Sequence, residues 1–251
     1  MVAKRIVPCL DLTDQGVVKG VHFRHLRQMG DPLELARRYE REGADEVVLL
    51  KVDAWRGRGL SPKLLARTSR ELSIPLTVGG GVGSVEQAEE LLSAGADRVS
   101  FNSLALERPQ VLTEAADRFG RQAVVLAIDA HREGRGPATV YARGGTLREG
   151  WSAAAWAKEG ERRGAGEVLL TSIDRDGTHR GYDLPLLRAV RRSVRIPIMA
   201  SGGAAGPRSF FDAFENAGAD AALAAGIFHR GECTVGEVKD YLSSRGIEVR
   251  R

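Results

Sequence analysis

The chain has 251 residues, a formal charge of +4, two cysteines and 6% aromatic residues. Its length is near the roughly 250 residues usual for a (β/α)8 barrel, and Cys9 and Cys233, far apart in sequence, show neither metal-knuckle nor disulfide spacing, as in a reduced cytoplasmic protein. Basic residues are mixed with acids in ELARRYEREGADE and AWAKEGERRGAGE, aromatics are few, and neither a signal peptide nor a long apolar span is evident, so neither nucleic acid nor membrane is an expected partner.

The first candidate strand is RIVPCL (5–10). A helix is predicted next over DPLELARRYEREG, with Asp31 as its cap, Pro32 at its first position and Gly43 past its end. Candidate strands follow at EVVLLKV (46–52), PLTVG (75–79), RVSFN (98–102), AVVLAI (123–128), EVLLTSI (167–173), IPIMA (196–200) and AALAAG (221–226). Nearly continuous Val/Ile/Leu runs are the pattern of parallel strands buried on both faces, and amphipathic stretches lie between them. Eight such units predict a (β/α)8 TIM barrel. With no linker or composition break, residues 1–251 read as a single barrel domain.

The chain also repeats itself. RIVPCLDL is echoed by AVVLAIDA, GADEVVLLKVD by GAGEVLLTSID, IPLTVGGGV by IPIMASGGA, and GADRVSFNS by GADAALAAG. The spacing is roughly 120 residues, too long and too few for a solenoid. Two (β/α)4 halves closing one barrel account for it and predict a pseudo-two-fold site.

Barrel enzymes carry their working residues at the C-terminal strand ends. Glycines cluster there twice, at Gly79, Gly80 and Gly81 and at Gly202 and Gly203, where bare backbone can approach an anion. Asn102 and Ser103, and symmetrically Ala225 and Gly226, each open a short helix whose start suits a phosphate. Two phosphates of one small-molecule substrate are therefore expected across the mouth. Asp11 and Asp129 end matching strands of the two halves and are candidates for general acid and general base. TSIDRDGT adds Thr171, Asp174, Asp176 and Gly177, and Lys19, in the loop after the first strand, is a cation able to close over substrate. The five histidines show no ligand spacing, and no dinucleotide fingerprint or Walker loop is present, so neither metal nor cofactor is expected.

Through AKRIVPCLDL, VVKGVHF, GDPLELA, PLTVGGGV, RVSFNS, VVLAIDA, GAGEVLLTSIDRDGTHRGYD, ASGGA and ADAALAAGIFH, nearly the whole chain resembles the cyclase subunits of imidazole glycerol phosphate synthase. The resemblance implies acid–base chemistry by Asp11 and Asp129 on a two-phosphate formimino-ribulosyl aminoimidazole carboxamide ribonucleotide. Ammonia would come through the barrel from a glutaminase subunit docked on the N-terminal face. The products would be imidazole glycerol phosphate and aminoimidazole carboxamide ribotide. It also implies a charged ring guarding ammonia admission, at Arg5, Glu46, Arg98 (where the family usually has Lys) and Glu167.

The chain departs from the family pattern at several places. Lys51 replaces an aspartate at the end of the second barrel strand, with Asp53 and Trp55 nearby; His22 replaces an asparagine, and Gly226 a serine. A charged Lys51 is expected at the rim in contact with Asp11; an uncharged one would be a Schiff-base nucleophile. Alternatives therefore stay open: a paralogue acting on another sugar phosphate, by isomerase or Lys51 chemistry, or a non-catalytic phosphate-ligand module partnering a glutaminase.

Overall fold

A computed structural model describes residues 2–14, 16–21, 24–54, 59–134 and 136–250, with backbone only for 19–21 and 24–27. β1 (Arg5–Thr13) leads into a hairpin of β2 (Gly16–Val21) and β3 (Arg24–Gly30), then through α1 (Pro32–Arg41) to β4 (Val47–Lys51). α2 (Pro62–Ser69), β5 (Leu76–Gly79), α3 (Val85–Ser93), β6 (Arg98–Phe101), α4 (Ser103–Glu107) and α5 (Gln110–Phe119) follow. The second half opens with β7 (Val124–His131) and a second hairpin, β8 (Thr139–Ala142) and β9 (Leu147–Ser152). Then come α6 (Ala153–Arg163), β10 (Glu167–Ser172), α7 (Leu184–Arg191), β11 (Ile198–Ser201), α8 (Pro207–Ala217), β12 (Ala221–Ala224), α9 (Gly226–His229) and α10 (Val235–Ser244).

β1, β4, β5, β6, β7, β10, β11 and β12 pair in parallel in that order, and β12 returns to β1, closing a (β/α)8 barrel. Alternation along the strands divides the core in two. Val7, Cys9, Val48, Val125, Leu169 and Met199 fill the barrel, while Ile6, Leu10, Leu12, Leu49 and Leu126 pack outward with Tyr39, Trp156 and Phe210 of the helical layer. The cap expected at residue 31 is present: Asp31 accepts from the Leu33 and Glu34 amides at 2.9 and 3.1 Å. No helix among the described residues is long and apolar enough to cross a membrane.

The repeated GAD motifs have a structural explanation. The carboxylates of Asp45, Asp97 and Asp220 accept the backbone N–H of Ile6, Leu76 and Ile198 at 2.8, 2.8 and 3.0 Å, each tying the start of one strand to the preceding one. The hairpins were not legible as strands, and Lys19, expected in a loop, lies on β2. The short glycine-bounded runs gain their partners only from the barrel: β2 pairs antiparallel with β1, and β8 with β7, at symmetry-related places.

Gly80 and Gly202 carry the repeat into the backbone. Both adopt φ +88°, and a Cβ would lie 2.1 Å from the Lys51 carbonyl oxygen at Gly80 and 2.6 Å from that of Ser172 at Gly202. Each needs the left-handed conformation and a close backbone approach that L side chains refuse. Gly80→Ala and Gly202→Ala are each expected to cost about 2 kcal/mol or more, since strain and collision act together. Chemical denaturation checks this; wild-type midpoints for both would remove the assigned constraint.

Candidate active site

The C-terminal ends of the barrel strands surround a cavity of about 590 Å3. Asp11, Gly80, Gly81, Asn102, Ser103, Asp129, Thr171, Asp176, Gly177, Gly202, Gly203, Ala225 and Gly226 all line it. Residues that the motifs did not single out share the wall: Ser100, Ser201, Arg143, His179 and Arg230, over an apolar floor of Cys9, Leu169 and Leu223. Period-two alternation from Cys9 and Leu169 would have pointed to the floor; nothing local marks Arg230. The side chain of Lys19 and all of His22 and Trp55 lie outside the described residues.

Asp11 and Asp129 occupy matching positions with different surroundings. Asp11, 7% exposed, pairs across to Val18 of β2 and stands next to Leu50 of β4, with the Cys9 thiol 3.5 Å from its Oδ1. Asp129 pairs with Tyr141 of β8 and stands next to Thr171 of β10, and its Oδ2 accepts from Asn102 Nδ2 at 3.0 Å. Enclosure by protein, reinforced by the nearby Asp176 carboxylate, raises the Asp129 pKa to about 7 against the pull of Asn102 and Thr171 hydrogen bonds. Asp129 therefore exchanges its proton near neutrality.

Protonated Asp129 favours the fold. Its stabilising contribution is complete below the ordinary carboxylate pKa of 3.8 and is lost as the pH rises toward about 7. Asp129→Asn, permanently neutral, is expected to match wild type near pH 4 and to be the more stable protein at pH 8, by about 1–2 kcal/mol in a mouth that admits water. Melting curves at the two pH values measure the difference, and an equal offset at both would disprove the shift.

Lys51 differs from expectation. It is 7% exposed rather than at a hydrated rim, and its Nζ donates to Asp14 and Asp53, both at 2.7 Å, instead of reaching Asp11. Register explains this: Leu50 lies beside Asp11 and Lys51 beside Leu12, so Lys51, although it still lines the cavity, is not the neighbour of Asp11. Burial pulls the ammonium pKa down, but the hydrogen bonds and charges of Asp14 and Asp53 outweigh it and hold the pKa above 10.5. Such an amine stays protonated and is no nucleophile. Borohydride trapping with carbonyl sugar phosphates should leave the intact mass unchanged; an adduct lost in Lys51→Met would contradict this.

At the other end, Arg5, Glu46, Arg98 and Glu167 form a closed ring. Arg5 bonds Glu46 at 2.8 Å and also Glu167, and Arg98 bonds Glu46 and Glu167 at 3.0 and 2.9 Å. Glu46, 1% exposed, additionally accepts from Thr77 at 2.5 Å. Burial works against the Arg5 charge, yet the two flanking carboxylates raise its pKa; burial and Glu46 push the Glu167 carboxyl upward. Two cations and two anions cancel across the barrel bottom.

Closed barrel, paired inward carboxylates and a bare-backbone rim together define a (β/α)8-barrel enzyme. A model of the histidine biosynthesis protein family matches residues 5–234. The imidazole glycerol phosphate synthase subunit HisF of Metallosphaera sedula is 55% identical over 251 residues, covering 100% of both chains. Those of Solibacter usitatus and Methanopyrus kandleri are 53% and 50% identical, covering 100% and 99% of this chain and 99% and 98% of their own. The chain belongs to this family, the HisF cyclase subunits of imidazole glycerol phosphate synthase, enzymes of histidine biosynthesis.

Proposed function

We propose that the chain converts a two-phosphate formimino-ribulosyl aminoimidazole carboxamide ribonucleotide and ammonia into imidazole glycerol phosphate and aminoimidazole carboxamide ribotide, the ketone oxygen leaving as water. The observation carrying this reading is the pair of inward carboxyls at matching strand ends, of which Asp129 has its pKa raised to about 7. Closing the imidazole ring requires one group to take a proton from nitrogen and another to protonate the departing ribotide amine. Asp129, which keeps its proton to near neutrality, suits the donating role, and Asp11 the accepting one.

The substrate would span the mouth, one phosphate on the Gly80, Gly81, Asn102 and Ser103 side and the other on the Gly177, Gly203 and Gly226 side. Two pairs of left-handed glycines, Gly80 and Gly81 with φ +88° and +75° and Gly202 and Gly203 with +88° and +100°, support symmetrical anion seats. A glutaminase subunit on the N-terminal face would supply ammonia through the ring of Arg5, Glu46, Arg98 and Glu167. A neutral ring beneath an apolar barrel interior suits passage of a small uncharged molecule and opposes ions. The charged, doubly paired Lys51 argues against the Schiff-base paralogue.

With substrate and ammonium salt at alkaline pH, the isolated chain should turn over. Asp11→Asn and Asp129→Asn should each slow this by about a hundredfold or more, a common share for acid–base catalysis, with substrate affinity less affected. Wild-type rates in either variant would withdraw that residue's role, and failure of the wild-type chain to react would withdraw the activity.

A further inference from the structure

Arg230 lies just beyond α9 and lines the mouth, and neither the motifs nor the family resemblance single it out. Its guanidinium rests directly over Gly226. A Cβ at that glycine would stand 2.9 Å from Nη2 and 3.0 Å from Nη1, so a side chain at 226 would oblige this guanidinium to move. The family pattern has serine at this position; here the side chain is gone and a charged group from the next turn has taken its room.

The guanidinium is held in a defined orientation. Arg230 Nε donates to Glu232 Oε1 at 2.5 Å and Nη2 to His179 Nε2 at 2.6 Å; a guanidinium can only donate, so that ring nitrogen accepts. His179 in turn takes φ +54°, a left-handed conformation unusual outside glycine, to present its ring there. Nη1, which like Nη2 lies over Gly226, has no protein acceptor among the described residues. The same wall contains the buried Asp176 carboxyl, which repels an anion unless a fixed cation offsets it.

We infer that Arg230 is a ligand of the substrate phosphate seated on the second half of the barrel, in place of the missing side chain at 226, and that it sets affinity without entering the chemistry. The inference deepens the proposed function and rests on its two-phosphate reading. A planar fork with one edge anchored and another free matches a phosphomonoester dianion, which accepts several donors at once.

Titration with inorganic phosphate, followed by 31P NMR and calorimetry, separates the two ideas. Wild type should take up two equivalents. Arg230→Met should weaken one of them by about 10- to 100-fold, the range for a charge-assisted hydrogen bond, and leave the other unchanged. Arg230→Lys should fall between. KM for the two-phosphate substrate should rise by the same factor, with kcat little altered. Gly226→Ser should weaken the same seat in wild type by displacing the guanidinium, and should have no such effect when added to Arg230→Met, a coupling that separate structural damage would not give. Two unchanged phosphate equivalents and an unchanged KM in Arg230→Met overturn the role of Arg230 and leave the two-phosphate reading standing. A wild-type chain that binds fewer than two overturns that reading, and the inference with it.

Discussion

In a closed parallel barrel, a side chain's height along the axis is determined by register, and its direction by whether its position is odd or even along the strand. β1 shows the consequence along its inward face. Arg5 joins the charged ring at the bottom, Val7 and Cys9 enter the apolar filling, and Asp11 emerges at the mouth. At about 3.3 Å per residue these few positions span roughly 20 Å, so ring, floor and carboxylate stack along one axis. β10 does the same with Glu167, Leu169 and Thr171. A one-residue slip in any strand would exchange this inner ladder for the aliphatic face that packs under the helices.

The two halves duplicate backbone far more faithfully than chemistry. The left-handed glycines, the antiparallel hairpins after β1 and β7, and the aspartates at the ends of those strands all correspond. The surroundings of the aspartates do not. Asp129 faces Asn102, Thr171 and Asp176, whereas the neighbours of Asp11 include the Cys9 thiol. A symmetrical scaffold thus carries two carboxyls in unlike environments, the arrangement that separates acid from base.

Much of this was legible because periodicity, caps and repeats are local. The eight strands appear within two or three residues of their expected limits, and Asp31 caps α1. The four residues expected to form a charged ring do close one. What escaped depends on pairing that a single segment does not encode. The β2–β3 and β8–β9 hairpins exist by leaning on barrel strands, and the direction of Lys51 follows from its lying opposite Leu12. The place of Arg230 depends on an empty volume four residues earlier, readable only once α9 brings Gly226 beneath the guanidinium.

The departures from the family pattern bear on whether the chemistry has been kept. A lysine replacing an aspartate beside Asp11, the carboxylate proposed as base, would ordinarily stabilise its ionised form and weaken it as a base. Here the ammonium is spent on Asp14 and Asp53, leaving the three-residue cluster with a net charge of −1 and adding no excess positive charge to the mouth. The serine missing at 226 follows the same logic, since a guanidinium occupies the vacated space and faces the same cavity. Both changes are absorbed where they arise, and neither alters the groups touching Asp129. A paralogue selected for different chemistry would be expected to show change at the carboxylates and their partners. In this chain both aspartates are present and the departures lie around them, in keeping with membership of the HisF cyclase subunits.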